Sequence, residues 1–190
     1  PYEWVKRMRA GILALGPLVA RFGEAKVSLP GGCAIGARPV NYHLEAMQKL
    51  GVSIKVEEGY IHAQVLKPLQ GTTIEFPKVT VTGTENLLVL SSFAKGETIL
   101  KNSAKEPEVI ALGEYLIDCG AKIDGLGTDT IRIKESQLTP PKGISQIPAD
   151  RIETGTWISI AVATRSELLL KGIDFSSIGS ILDVYEKCGV

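Results

Sequence analysis

The chain has 190 residues, with Lys+Arg and Asp+Glu both at 21 and a formal net charge of zero. That balance excludes a polyanion binder working through a global basic field, because neutralising phosphates needs a surplus of cations. At 44% hydrophobic and 22% charged the composition is that of an ordinary folded domain, and the longest apolar run, residues 11–20, is about half the ~20 residues a membrane span requires and contains Pro17.

In chain order, the pattern predicts a helix over Val5–Arg21, with Val5, Met8, Ile12 and Leu15 on its buried face, then a strand over Lys26–Leu29. A loop rich in Gly and Pro follows, from Leu29 to Asn41, carrying Cys33 and Arg38. A helix over Pro39–Gly51 leads to a hairpin, Val52–Val56 and Tyr60–Ala63, turning at Glu57-Glu58-Gly59. Phe76–Thr82 reads as a strand running into a Gly83-Thr84 helix start, with the helix over Thr84–Lys95 and a strand over Thr98–Leu100. A second Pro-led helix, Pro107–Gly120, precedes a second hairpin, Ala121–Asp124 and Thr130–Ile133. The chain then predicts a helix over Thr156–Thr164, a strand over Leu168–Leu170 and a helix over Ser177–Gly189.

These elements repeat. Three helices close on a Gly, and 69 residues separate Gly51 from Gly120 and again Gly120 from Gly189. Glycine suits the left-handed position that ends a helix, and Pro39 and Pro107 suit a first helical turn, where the missing N–H is no loss. The repeating unit is strand–helix–strand–helix–strand–strand, about 70 residues long. The first copy lacks its leading strand and the third lacks its hairpin, so the repeat predicts a further strand before the sequence and a hairpin after it. The alternative is a chain with unusual caps.

Three cysteines, an odd number without metal-ligand spacing, fit a reducing compartment with no disulfide framework. No signal-peptide pattern opens the sequence, which begins Pro1-Tyr2. Cys119 and Cys188 recur at one repeat position and read as packing residues, whereas Cys33 has no repeat equivalent. A loop thiol beside Arg38 and a helix start can have a lowered pKa, which leaves open a reactive group or a plain loop cysteine. Arg9 flanks the buried face of the first helix and reads as a solvated cation or a cleft residue. Lys78 precedes a helix start whose N–H groups suit phosphate oxygens or serve only as a cap. His43 in a first helical turn reads as a surface or capping residue rather than a catalytic base.

Taken together, several stretches resemble the UDP-N-acetylglucosamine 1-carboxyvinyltransferase family. They are Met8-Arg9-Ala10, Leu15–Arg21, Ser28–Val40 with its Cys33 loop, Lys78–Val81, Glu106-Pro107-Glu108 and Asp150–Thr156. The resemblance runs over the whole chain. It implies an α/β fold, the inverse α/β barrel-type domain of repeated βαβαββ units that is EPSP synthase-like. It also implies a division at 1–147, most of the catalytic-loop domain, and 148–190, the start of a second domain.

The implied reaction transfers the enolpyruvyl group of phosphoenolpyruvate to the 3-hydroxyl of UDP-N-acetylglucosamine, in the bacterial cytoplasm and at the start of peptidoglycan precursor synthesis. By resemblance, Cys33 is the general acid and the group that the epoxide fosfomycin alkylates. Arg38 holds an oxyanion of phosphoenolpyruvate, and Arg9 lies near the sugar nucleotide. Arg38, Pro39, Val40, Asn41, Tyr42 and His43 wrap the uracil and ribose, while Lys78, Thr80, Val81 and Thr82 meet the diphosphate. No metal and no organic cofactor is implied, and no nucleic-acid or membrane partner. Asn41 stands where the family usually has Asp, and Thr82 where it commonly has Gly. This stretch by itself is expected to lack transferase activity. The competing readings are a nucleotide-sugar module that has lost catalysis, motivated by Asn41, and the shikimate-type transferase, which the Cys33 loop disfavours.

Overall fold

Pro17 decides where the first regular helix begins. With no N–H to give, a proline fits a first helical turn and not a helix interior, and Pro17 is the third residue of α1 (Leu15–Phe22). The turn before it, Arg9–Ala14, is 3-10 helix, so the single helix expected over Val5–Arg21 is two pieces. The computed structural model describes residues 8–31 and 40–189. They fall into two compact units, 1–144 and 145–190.

In the first unit, α1 ends at Gly23 and the chain turns directly into β1 (Glu24–Ser28). After the undescribed residues 32–39 come α2 (Asn41–Lys49), β2 (Val52–Glu57) and β3 (Tyr60–Val65). The hairpin between β2 and β3 turns through Glu58 and Gly59 at φ of 51° and 79°, the consecutive left-handed pair that matches the twist of two-residue hairpins. Both β1 and β2 pair antiparallel with β3, with Val27 opposite Ile61 and Ile54 opposite Ala63.

The second copy consists of β4 (Thr73–Glu75), α3 (Val81–Ser91), β5 (Glu97–Lys101), α4 (Pro107–Asp118), β6 (Lys122–Asp124) and β7 (Thr130–Lys134). Here β4 lies parallel to β5, and the sheet order is β4-β5-β7-β6. Without β4 this is the order β1-β3-β2 of the first sheet, so the sequence repeat is also a repeat of strand pairing. No strand forms over the expected Phe76–Thr82: β4 ends at Glu75, two residues before Pro77, and Val81 and Thr82 already belong to α3. A proline has no N–H with which to extend a ladder. The helix expected from Thr84 starts instead at Val81, because Thr80 is its cap.

The predicted left-handed closures are present: Gly51, Gly120 and Gly189 have φ of 104°, 100° and 80°. Each also makes the same bond three residues back, to Gln48 O, Ile117 O and Glu186 O. The core fills the space between the two sheets and the helices. Its centre is α3, which packs against α1, α2 and α4 and buries residues around most of its circumference, among them Thr84, Asn86, Leu87, Leu88 and Leu90. A helix so enclosed must present apolar residues on all sides. Where α1 crosses it, a Cβ on Gly16 would lie 2.7 Å from Asn86 O and Oδ1, so only glycine permits this approach.

The second unit has α5 (Arg151–Thr164), a 3-10 turn at Phe175–Ile178 and α6 (Gly179–Lys187). Asp150 caps α5 by accepting from Ile152 N at 2.8 Å and Glu153 N at 3.1 Å. No strand forms at Leu168–Leu170, contrary to the pattern. A strand needs a neighbour to satisfy its backbone, and among the described residues none pairs there. Cys119 is buried as expected, but its repeat equivalent Cys188 is exposed.

Candidate functional site at the first turns of α2 and α3

The start of α3 is built from threonines. Thr80 is extended, with φ −141° and ψ 115°, and its Oγ1 accepts from Gly83 N at 3.2 Å. Thr84 turns back along the helix to donate its hydroxyl to Thr80 O at 2.8 Å, and accepts from Ala104 N at 3.1 Å. That last bond fastens the helix start to the segment after β5. Among the described residues, the N–H groups of Val81 and Thr82 have no protein acceptor. Lys78, two residues before the cap, is exposed. Free N–H groups, the positive end of a helix dipole and a nearby ammonium form a setting suited to an anion.

Beside it stands the first turn of α2. Val40 caps this helix without a side-chain bond. Asn41 is exposed and donates to Glu45 Oε1 at 3.2 Å, and Tyr42 is half-buried. His43 is wholly buried, although the sequence suggested a surface or capping residue. Its Nε2 lies 3.3 Å from Thr82 Oγ1, and its Nδ1 lies 3.1 Å from Asn86 Nδ2. Burial, and then the positive charge of Arg9, push the imidazole pKa down to about 4. His43 is therefore neutral at physiological pH.

Asn86 is the residue that sequence reasoning passed over. Its Oδ1 accepts from Gly16 N at 2.8 Å, and its Nδ2 donates to Ile12 O at 3.0 Å as well as facing His43. One amide thus joins the 3-10 turn, α1, α2 and α3. The available signal was a single Asn immediately before the apolar run Leu87-Leu88-Val89-Leu90.

Of the site residues expected from sequence, the structure gathers Arg9, His43 and Thr82 about one imidazole. Val40, Asn41 and Tyr42 sit on the adjoining turn of α2, and Lys78, Thr80 and Val81 on the approach to α3. Cys33, Arg38 and Pro39 lie outside the described residues. Glu85, half-buried in α3 just past its first turn, has its pKa raised by burial and then by Glu108 and Glu106. Among the described residues there is no cluster of His, Cys, Asp or Glu able to hold a metal ion, and no helix long and apolar enough to cross a membrane.

A repeated unit with this strand order, carrying an anion-suited helix start, defines a class, and comparison with known proteins gives the class its family. The family profile of EPSP synthase (3-phosphoshikimate 1-carboxyvinyltransferase) matches residues 1–190, and the chain belongs to that family. Within it, the chain is 54% identical over 190 residues to the UDP-N-acetylglucosamine 1-carboxyvinyltransferase of Thermodesulfovibrio yellowstonii, a match covering 100% of this chain and 45% of the relative. The protein of the same name from Paramagnetospirillum magneticum is 48% identical over 190 residues, with 100% and 44% covered. The chain thus spans a little under half the length of these relatives.

Solved structures agree. The enolpyruvyl transferase NikO from Streptomyces tendae superposes with a TM-score of 0.65 at 25% identity, over 83% of this chain and 37% of that one. EPSP synthase from Acinetobacter baumannii gives a TM-score of 0.67 at 17% identity, over 94% and 40%, and bears on the fold alone. The expected α/β, EPSP synthase-like fold is the observed one.

Proposed function

We propose that the complete protein containing this chain transfers the enolpyruvyl group from phosphoenolpyruvate to the 3-hydroxyl of UDP-N-acetylglucosamine, releasing phosphate. The observation that carries this reading is the identity of 48% and 54%, across the entire chain, to relatives bearing that name. The sugar hydroxyl adds to the central carbon of phosphoenolpyruvate while a proton reaches its methylene carbon. Loss of a proton and of phosphate from the tetrahedral adduct then restores the double bond. Cys33 supplies the first proton, and Arg38 holds an oxyanion of phosphoenolpyruvate through its planar fork.

The diphosphate of the sugar nucleotide sits at the start of α3, against Lys78, Thr80, Val81 and Thr82. The free N–H groups and exposed ammonium there support that assignment. Arg9 and the turn from Pro39 to Tyr42 serve the sugar nucleotide. Residues 1–147 are most of the catalytic-loop domain and 148–190 the opening of a second domain, in a bacterial cytoplasmic enzyme of peptidoglycan synthesis that uses no cofactor.

The test is phosphate release by the complete enzyme with both substrates. Cys33→Ser is expected to lower turnover at neutral pH by at least about 100-fold, the lower end of what a positioned general acid supplies. Fosfomycin with UDP-N-acetylglucosamine present is expected to add its mass to Cys33. Unchanged turnover in the variant, or an unlabelled thiol, would refute the acid assignment.

A further inference from the structure

Hydrogens in the buried cluster can be assigned one after another from what each partner is able to do. The N–H of Gly16 can only donate, so the Asn86 atom 2.8 Å from it is the oxygen. The carbonyl of Ile12 can only accept, so the atom 3.0 Å from it is the amide nitrogen. The second hydrogen of that nitrogen points along the 3.1 Å contact to His43 Nδ1, which must therefore be the bare, accepting nitrogen. In a neutral imidazole the other nitrogen then carries the proton. Its partner is Thr82 Oγ1, 3.3 Å away. The Thr82 oxygen thus accepts on its inner side, and its own hydrogen turns away from His43. Thr84, Thr154, Thr156 and Thr164 donate their hydroxyls to the carbonyl four residues back. Thr82 makes no such bond among the described residues, and its side chain is partly exposed.

We propose that His43, locked by Asn86 with its proton on Nε2, is a positioning residue that makes the Thr82 hydroxyl an outward donor to a phosphoryl oxygen of the nucleotide-sugar substrate. The proposal rests on the functional reading above, which places the diphosphate at the start of α3. His43 itself, wholly buried with both ring nitrogens engaged, touches no ligand. The Thr82 hydroxyl is then a third donor beside the N–H groups of Val81 and Thr82, which have no acceptor among the described residues. A hydroxyl already accepting a hydrogen bond is a stronger donor, because bonds in a chain polarise one another. A protonated ring would break the arrangement, since Nδ1 could no longer accept from Asn86. The desolvated pocket keeps the ring neutral.

The experiment uses the complete enzyme. Thr82→Val removes the hydroxyl but keeps the branched side chain; the expected result is a KM for UDP-N-acetylglucosamine raised about tenfold with kcat held within about twofold, the scale of one hydrogen bond to a charged group. Thr82→Ser is expected to recover most of the loss. His43→Leu is expected to raise KM as Thr82→Val does, and the double variant to be no worse than either single one, because both remove the same interaction. A second readout does not depend on activity: nitrogen NMR of the imidazoles in the unsubstituted enzyme is expected to show His43 protonated at Nε2 and bare at Nδ1. An unsubstituted enzyme that does not turn over UDP-N-acetylglucosamine overturns the functional reading and this proposal with it. An active enzyme whose Thr82→Val variant keeps its KM, or whose His43 carries its proton on Nδ1, overturns the proposal alone.

Discussion

At the scale of single residues, His43 links structure to pH. Its native pKa of about 4 lies below the ordinary value of 6.5, so the unfolded chain binds a proton that the native ring refuses. Stability from this residue is complete above pH 6.5, declines as the pH falls from 6.5 toward 4, and changes little below that. The full effect is on the order of 3 kcal/mol. Urea unfolding at about pH 7 and about pH 4.5 tests this: His43→Gln, which keeps a donor and an acceptor but cannot titrate, is expected to lose that part of the pH dependence. Equal slopes for the two proteins would contradict it. The sequence named Arg9, His43 and Thr82 for three separate reasons. Nothing in their spacing said that they meet, because the contacts from Asn86 to residues 12, 16 and 43 close separations of 74, 70 and 43 residues. Asn86 escaped notice for the same reason: a lone amide in an apolar helix has no local pattern to mark it.

At the scale of elements, the helix closures carry the repeat. Gly120 has φ of 100°, and a Cβ there would come within 3.2 Å of Gln137 O. Gly120→Ala is expected to lower unfolding stability by about 1–2 kcal/mol, through left-handed backbone strain and this crowding. Gly143→Ala is the control: Gly143 has no positive φ and nothing within 4 Å of an added Cβ, so its effect is expected within about 0.5 kcal/mol. Chemical denaturation of the three proteins side by side decides it. Elements of this kind were legible because their signals are local, a Gly at the closure, a Pro in the first turn, alternation in a hairpin. The failures were local signals outvoted by context. Leu168–Leu170 has the apolar character of a strand, but no described strand lies beside it. The helix start near Thr84 was displaced to Val81 because the Thr80 cap outweighs the glycine at 83.

At the scale of the whole chain, the two units differ in what they bury. The described part of residues 1–144 holds a continuous apolar core that includes Leu15, Met47, Ile61, Leu87 and Ile131. In residues 145–189, Ile178 is the buried large apolar side chain, while Trp157, Ile160 and Leu169 are 45%, 44% and 78% exposed. Local opening is easiest where few apolar contacts must break. Amide hydrogen exchange on this chain is therefore expected to be fastest in α5 and α6 and slowest in α3, and slower exchange in α5 than in α3 would contradict it. The sequence by itself determined the glycine-closed repeat and the helix-then-hairpin order at each of Gly51 and Gly120, since each depends on periodicity or on a residue with a special backbone. The tertiary structure alone decided that Asn86 is the hub, that His43 is a buried neutral ring, and that the Thr82 hydroxyl meets that ring. Those properties come from desolvation and from the directions of hydrogen bonds between distant segments, and both exist only once the chain has folded.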